Sequence, residues 1–225
     1  MFSVLFEVHP SPAQWATYLD TAKGLRPELE RVEGFIDNIR YKSLTREGWI
    51  LSLSSWRDEK SLVRWRTAMR HHTVQEKGRA EILLDYRLRV GQIVSDTHVP
   101  PGQRIEEQRL DETETGGGTA VTLTTARRPP ALPEASSAQE IATFLGLETQ
   151  ADGLAGWDAF DAVLTPGDLL LMILWQTKAK AEAFVRANGS SPDRRLRQVR
   201  IVRDYGMFDR REAPQYYPAV EKQGS

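Results

Sequence analysis

Hydrophobic and polar residues alternate from the first positions of the chain. Phe2, Val4, Phe6 and Val8 fall on one side of an extended segment and Ser3, Leu5, Glu7 and His9 on the other, the period of a strand with one face on a core. Pro10 ends it. Pro12 suits the first turn of a helix with an apolar stripe of Trp15, Tyr18, Leu19 and Ala22; Gly24 interrupts it and Pro27 opens a second segment, so a broken helix is expected. Gly34 releases a strand over 35–44, a turn at 45–48 returns the chain as a third strand over 49–55, and Asp58 stands as an N-cap. Leu62, Trp65 and Met69 then mark one face of a helix that ends near His71 and His72, and a short turn at 73–78 leads to a fourth strand over 82–90.

The same punctuation returns at one fixed offset of 119 positions, carrying Trp56 onto Trp175, Gly34 onto Gly153, Gly48 onto Gly167 and Asp85-Tyr86 onto Asp204-Tyr205. A constant offset across turn, helix-start and strand residues is the mark of a tandem duplication. In the second copy, strands are expected at 119–125, 157–164, 169–175 and 196–208, with helices at 138–145 and 179–188. Thr177 takes the N-cap place of Asp58, and Gly189 stops the second of these helices. Each copy thus reads β-α-β-β-α-β, the ferredoxin-like order, in which both helices cover one face of an antiparallel sheet and leave the other bare. Two bare faces in one chain can pack sheet to sheet as an intramolecular α+β barrel. The expected organisation is a first unit over 1–95, a linker over 96–118, a second, degenerate unit over 119–210 and a tail over 211–225. Prolines 100 and 101 stiffen one end of the linker, and glycines 116–118 loosen the other.

Composition narrows the function. With 40% hydrophobic and 27% charged residues and a net charge of -1, the 225-residue chain is an ordinary globular protein with no electrostatic case for nucleic acid. The absence of cysteine removes thiolate nucleophiles and Cys-based zinc sites and fits a reducing, cytoplasmic setting. The first ten residues read as a strand rather than a signal peptide, and the longest apolar run, 169–175, is far below the ~20 residues of a membrane helix. Gly116-Gly117-Gly118 lies in an acidic linker rather than a strand-to-helix phosphate turn, so no nucleotide or flavin fingerprint is present.

Residues 1–95 resemble the antibiotic biosynthesis monooxygenase-like family of the dimeric α+β barrel superfamily. The resemblance rests on Arg26-Pro27-Glu28-Leu29-Glu30 before Gly34-Phe35, on Leu51-Ser52-Leu53-Ser54-Ser55-Trp56, and on the ordered run Trp65, His72, Gln75, Gly78-Arg79 and Asp85-Tyr86-Arg87-Leu88-Arg89-Val90. It implies cofactor-independent oxidation of a flat aromatic or polyketide-like small molecule, with haem degradation in other members and no assigned activity in many. Haem-degrading relatives place an Asn on strand one, where this chain has Glu7 and His9, and this points away from haem. A non-catalytic small-ligand-binding or stress-response module is the alternative from another class.

Several side chains are candidates for the chemistry. Trp65 can stack on a flat substrate or pack into the core as part of an amphipathic stripe. His72 can serve as a base or as a favourable cation at a helix C-terminus, and His71 points elsewhere. His9 and Glu7 share a face of strand one; they join Trp65 only if that face meets the helices, and the Phe2 set has the stronger claim on a buried surface. Arg79 can steady an anionic group or pair with a carboxylate such as Asp85. All four histidines precede residue 99, and the repeat places Phe184 where Trp65 stands and Ser191 where His72 stands. The pocket is therefore expected in the first unit, with the second as a built-in partner; a further homodimer is left open.

Overall fold

The computed structural model describes residues 1–189, 191–217 and 220, without the side chains of Arg70 and His71. The first half contains β1 (Phe2–Pro10), α1 (Trp15–Leu29), β2 (Phe35–Ser43), β3 (Ile50–Trp56), α2 (Glu59–Thr67), α3 (Met69–Lys77) and β4 (Leu83–Asp96). The second contains β5 (Ala120–Arg127), α4 (Ala138–Phe144), β6 (Leu154–Ala162), β7 (Asp168–Trp175), α5 (Lys178–Asn188) and β8 (Arg194–Gly206). The eight strands close one antiparallel barrel in the order β1-β3-β2-β6-β7-β5-β8-β4.

Closure uses edges as well as faces. Each half orders its strands alike, and the seams between halves are β4 against β8 over 87–96 and, more briefly, β2 against β6 over 41–43. Side chains from both halves fill the lumen, among them Leu5, Leu51, Leu53, Leu123, Phe160, Met172, Val199 and Ile201. The alternate positions face outward under the helices, Phe2 and Val4 in the first half and Leu169, Leu171 and Ile173 in the second. This alternation resolves the ambiguity of strand one. The Phe2, Val4, Phe6, Val8 face meets the helices, and Glu7 points into the lumen beside Leu5, so Glu7 does not share a space with Trp65.

Paired landmarks at the repeat offset do matching work. Gly34 and Gly153 have φ of 87° and 83°, and a Cβ at either would collide with the first turn of the helix that follows, at Ser61 and Lys180 respectively. Asp58 accepts from the Ser61 amide at 2.7 Å and Thr177 from the Lys180 amide at 3.4 Å, capping α2 and α5. Trp56 and Trp175 are each buried, their indole N–H groups donating to Ser54 and Thr122 hydroxyls.

Three elements differ from their sequence reading. Helix α1 is continuous through Gly24 and Pro27, because Pro27 falls in its last turn and Ala22, Leu25 and Leu29 bury a common stripe. The helix carrying Trp65 stops at Thr67, whose hydroxyl bonds back to the Val63 and Arg64 carbonyls; Ala68 is extended, and α3 begins at Met69, which is 87% exposed rather than part of the stripe. His72 consequently lies within a helix, not at its end. The joining segment is seated on the barrel rather than loose. The Gln92 side chain accepts from the Gln108 and Arg109 amides, and the Thr113 amide donates to Ile201 O.

A chain of charges ties the lumen across both seams. Glu7 accepts from Arg89 and from Arg46 Nη2 (2.5 Å), Arg46 reaches Asp158 at 2.8 Å, and Asp204 accepts from Arg89 and Arg87. Burial alone would raise the Glu7 pKa, but Arg89 and Arg46 outweigh it and hold the carboxyl below its ordinary value of 4.5. A depressed folded-state pKa means that Glu7 contributes stability present above the unfolded value and lost as pH falls through the folded one. Glu7→Gln should cost about 3–5 kcal/mol by leaving the buried Arg89 and the half-buried Arg46 short of a counter-charge. Urea denaturation against pH should also show a shallower acid decline in the variant; parallel declines below pH 4.5 would contradict the assignment.

Candidate active site

The outward face of the first-half sheet, read across the strands, grades from polar to apolar to polar. One row runs Arg40, Ser52, Phe6, Leu88, Tyr205 and the next Asn38, Ser54, Val4, Val90, Arg203. Five adjacent strands place the ends of each row roughly 19 Å apart at ~4.8 Å per spacing. Above this floor α1, α2 and α3 form a roof that includes Leu25, Leu62, Trp65 and Gln75. Between floor and roof lies a cavity of about 200 Å³.

The second half contributes to its wall. Beyond Arg203 and Tyr205 on β8, the segment that follows brings Arg210, Gln215 and Tyr217 to the same space. Tyr217 is held by a hydroxyl bond to Gln75 at 3.1 Å, and Arg210 lies over its ring at 5.4 Å. The equivalent volume in the second half is filled, where Phe184 packs on Trp175 with 5.4 Å between ring centres among Ile141, Leu145 and Leu171.

Charge in the cavity is lopsided. Arg40, Arg66, Arg79, Arg203 and Arg210 line it, and among the described lining residues Glu59 is the one carboxylate. Glu59 is already committed, accepting from Arg109 through both oxygens at 2.8 and 3.1 Å. The buried Nε atoms of Arg40 and Arg66 have no hydrogen-bond partner among the described residues. Burial pushes the Tyr205 hydroxyl up to about 12, so it is a neutral donor at physiological pH; burial likewise raises Tyr18, against the opposing pull of Arg40. The cavity therefore offers cations and neutral hydroxyls and lacks an unpaired carboxylate base.

Of the residues singled out from sequence, Trp65 and Arg79 line this cavity and Glu7, His9 and His72 do not. Trp65 also packs on the Phe2–Trp56 core cluster, so the stacking and packing roles coincide in one side chain. Arg79 is buried and donates to the Tyr86 hydroxyl (3.2 Å) and to Met207 O (2.8 Å). Glu7 is spent in the lumen, for the reason of strand alternation. His9 stacks on Trp49 with 5.3 Å between rings, at the far end of β1. His72 is 42% exposed beside Glu76 and on the outer side of Tyr217, 5.6 Å between rings; the His71 side chain lies outside the described residues. No described lining residue is a histidine. More broadly, no described cluster of three or more His, Cys, Asp or Glu could hold a metal ion.

Sequence reasoning missed Tyr86, Arg66, Arg203, Tyr205 and Arg210. Tyr86 and Tyr205 belong to the repeated Asp-Tyr pair, which marks the duplication without pointing to a cavity. Alternation gives the pair two jobs, sending Asp204 inward to Arg89 and Tyr205 outward to the cavity.

A closed α+β barrel that opens a guanidinium-rimmed cavity under the helices of one half is a small-molecule enzyme scaffold. The model of the antibiotic biosynthesis monooxygenase family matches residues 1–77. A protein of Pyricularia oryzae named jasmonate monooxygenase ABM is 48% identical over 221 residues, covering 97% of this chain and 99% of that one. This chain belongs to the antibiotic biosynthesis monooxygenase family and is a monooxygenase-like enzyme. Among solved structures, an aldoxime dehydratase superposes with a TM-score of 0.54 at 12% identity, over 89% of this chain and 80% of its own. A second aldoxime dehydratase, solved with butyraldoxime, gives 0.54 at 10% identity over 89% and 79%. These two likenesses concern the fold alone. Among the described residues no helix is long and apolar enough to cross a membrane.

Placement outside the cavity has a measurable consequence for the histidines. In fluorescence titrations with anilinonaphthalene sulfonate, an apolar anion, His9→Ala and His72→Ala should bind within about twofold of wild type. Trp65→Ala, which removes part of the roof, should bind about tenfold more weakly. A histidine variant that loses as much as the Trp65 variant would place that imidazole in the site.

Proposed function

We propose that the enzyme oxygenates a small, largely apolar molecule bearing a carboxylate, held in the first-half cavity, with one atom of dioxygen entering the substrate and the other leaving as water at the expense of two electrons from an external reductant. The observation that carries this reading is the excess of five lining guanidiniums over one carboxylate that is already paired. An unpaired cation in an apolar cavity is costly, and an anionic ligand relieves that cost. Among the described residues, neither Arg66 nor Arg203 spends a side-chain N–H on a hydrogen bond or ion pair, and both lie by Tyr205. They form the anion-binding end. The name of the 48% identical relative supplies a probe of this description, jasmonate, a carboxylate on a compact carbon skeleton.

Base catalysis by His72 or His9, expected from the sequence, has no support in the geometry. What the lining residues can do is orient an anion, keep water from the apolar floor, and stabilise negative charge that develops on substrate or on reduced dioxygen. Trp65 and Arg79 keep their place in this reading as substrate contacts, and a flat aromatic substrate gives way to an apolar acid. The duplication enters as division of labour, with two ferredoxin-like units in one chain acting as a pseudo-dimer in which the first carries the cavity between sheet and helices.

Calorimetric titration with jasmonate and its methyl ester tests the proposal, because the ester keeps the shape and loses the charge. The acid should bind at least about tenfold more tightly, and Arg66→Ala should erase most of that margin while leaving ester affinity unchanged, consistent with ~1.5–3 kcal/mol for a charge-assisted hydrogen bond. Equal affinity for acid and ester would refute it.

A further inference from the structure

Resting on the reading of the cavity as an acid-binding site, we infer that its ligand carries a second, neutral oxygen and is an oxo acid. Tyr86 would donate to that oxygen, and Arg210, supplied by the second half, would be its positioning residue. The Tyr86 hydroxyl accepts from Arg79 Nη1 at 3.2 Å and from Arg210 Nη1 at 2.6 Å. A phenolic oxygen has two lone pairs and one proton. With both lone pairs engaged, the proton is left to donate, and among the described residues nothing accepts it. Tyr86 lines the cavity and is 8% exposed, so its proton points to where a water, or an oxygen of a ligand that displaces it, can accept.

The hydroxyl is held from all sides. The Phe6 ring meets the Tyr86 ring edge-on, with 5.7 Å between centres. Arg79 is anchored on Met207 O at 2.8 Å and Arg210 on Gln215 O at 2.8 Å, so both cations are tied to carbonyls of the segment after β8. Such tied guanidiniums are poor partners for a carboxylate, which is better served by Arg66 and Arg203. The two ends are separate. Arg203 pairs with Val90, four residues along β4 from Tyr86, about 14 Å at ~3.4 Å per residue, with Leu88 between. A ligand lying along β4 would meet Arg203 at one end, an apolar floor at Leu88, and the Tyr86 hydroxyl, held by Arg79 and Arg210, at the other.

The discriminating comparison is between jasmonate, whose ring bears a ketone, and the same acid with a methylene in place of that ketone. Wild type should bind the ketone about tenfold more tightly. Tyr86→Phe should abolish the preference without weakening the deoxygenated acid, and Arg210→Gln, which frees the hydroxyl to turn, should narrow it. A merely structural role for either residue would weaken both acids alike. Equal binding of the two acids by wild type, or a preference that survives Tyr86→Phe, overturns the inference and leaves the acid-binding reading standing. Failure of both acids to bind overturns the two together.

Discussion

An open antiparallel sheet presents an apolar face and two unpaired edges, and either is enough to drive association. Pairing β4 with β8 and β2 with β6 deals with both at once, because hydrogen bonding the edges turns the bare faces inward on a common core. Everything else follows from that closure. Leu5, Leu53, Phe160 and Met172 pack the lumen, and the cavity lies on the outer face, between sheet and helices. In the second half that space is packed by Phe184, Ile141 and Leu145; in the first it is left open.

Two sets of arginines divide along the same boundary. Inside, Arg46, Arg87 and Arg89 are matched to Glu7, Asp158 and Asp204, and the arrangement is an internal clasp across the seams. Outside, the cavity arginines outnumber their acids. A net charge of -1 for the whole chain conceals these two arrangements, and Arg197, buried in the lumen with the Ser55 hydroxyl at 3.4 Å, is an exception on the inner side. Matched pairs favour the folded state by avoiding bare buried charge, whereas unmatched ones lower it and are tolerated where a ligand supplies the missing charge.

Much of this fold was legible in the order of residues. Period-2 alternation, the glycines at 34, 48, 153 and 167, and the caps at Asp58 and Thr177 are local signals with local causes, and each element they mark is present. The break at Ala68 was harder to see because Leu62, Trp65 and Met69 keep helical spacing across it; only the back-bonded Thr67 hydroxyl hints at the stop. The site was legible in part. Trp65 and Arg79 stand next to motif residues and were found, while Arg203 and Arg210 lie more than a hundred positions from the floor they complete. Their role depends on β8 pairing with β4, a long-range contact that no window along the chain contains. His9 and His72 drew attention for their chemistry, which says nothing about which way a side chain points.

Because β8 belongs by sequence to one half and by its outer face to the cavity of the other, the fragment that the repeat boundaries invite one to cut, residues 1–95, would be missing a wall rather than a spare copy. Drift in the trailing half is likewise not free of consequence for chemistry in the leading one. Exchanging a residue at 203, 205 or 210 changes the lining of the cavity without touching any position that the family motif covers. The wall of the cavity is thus set in part by the side of the molecule that carries no motif.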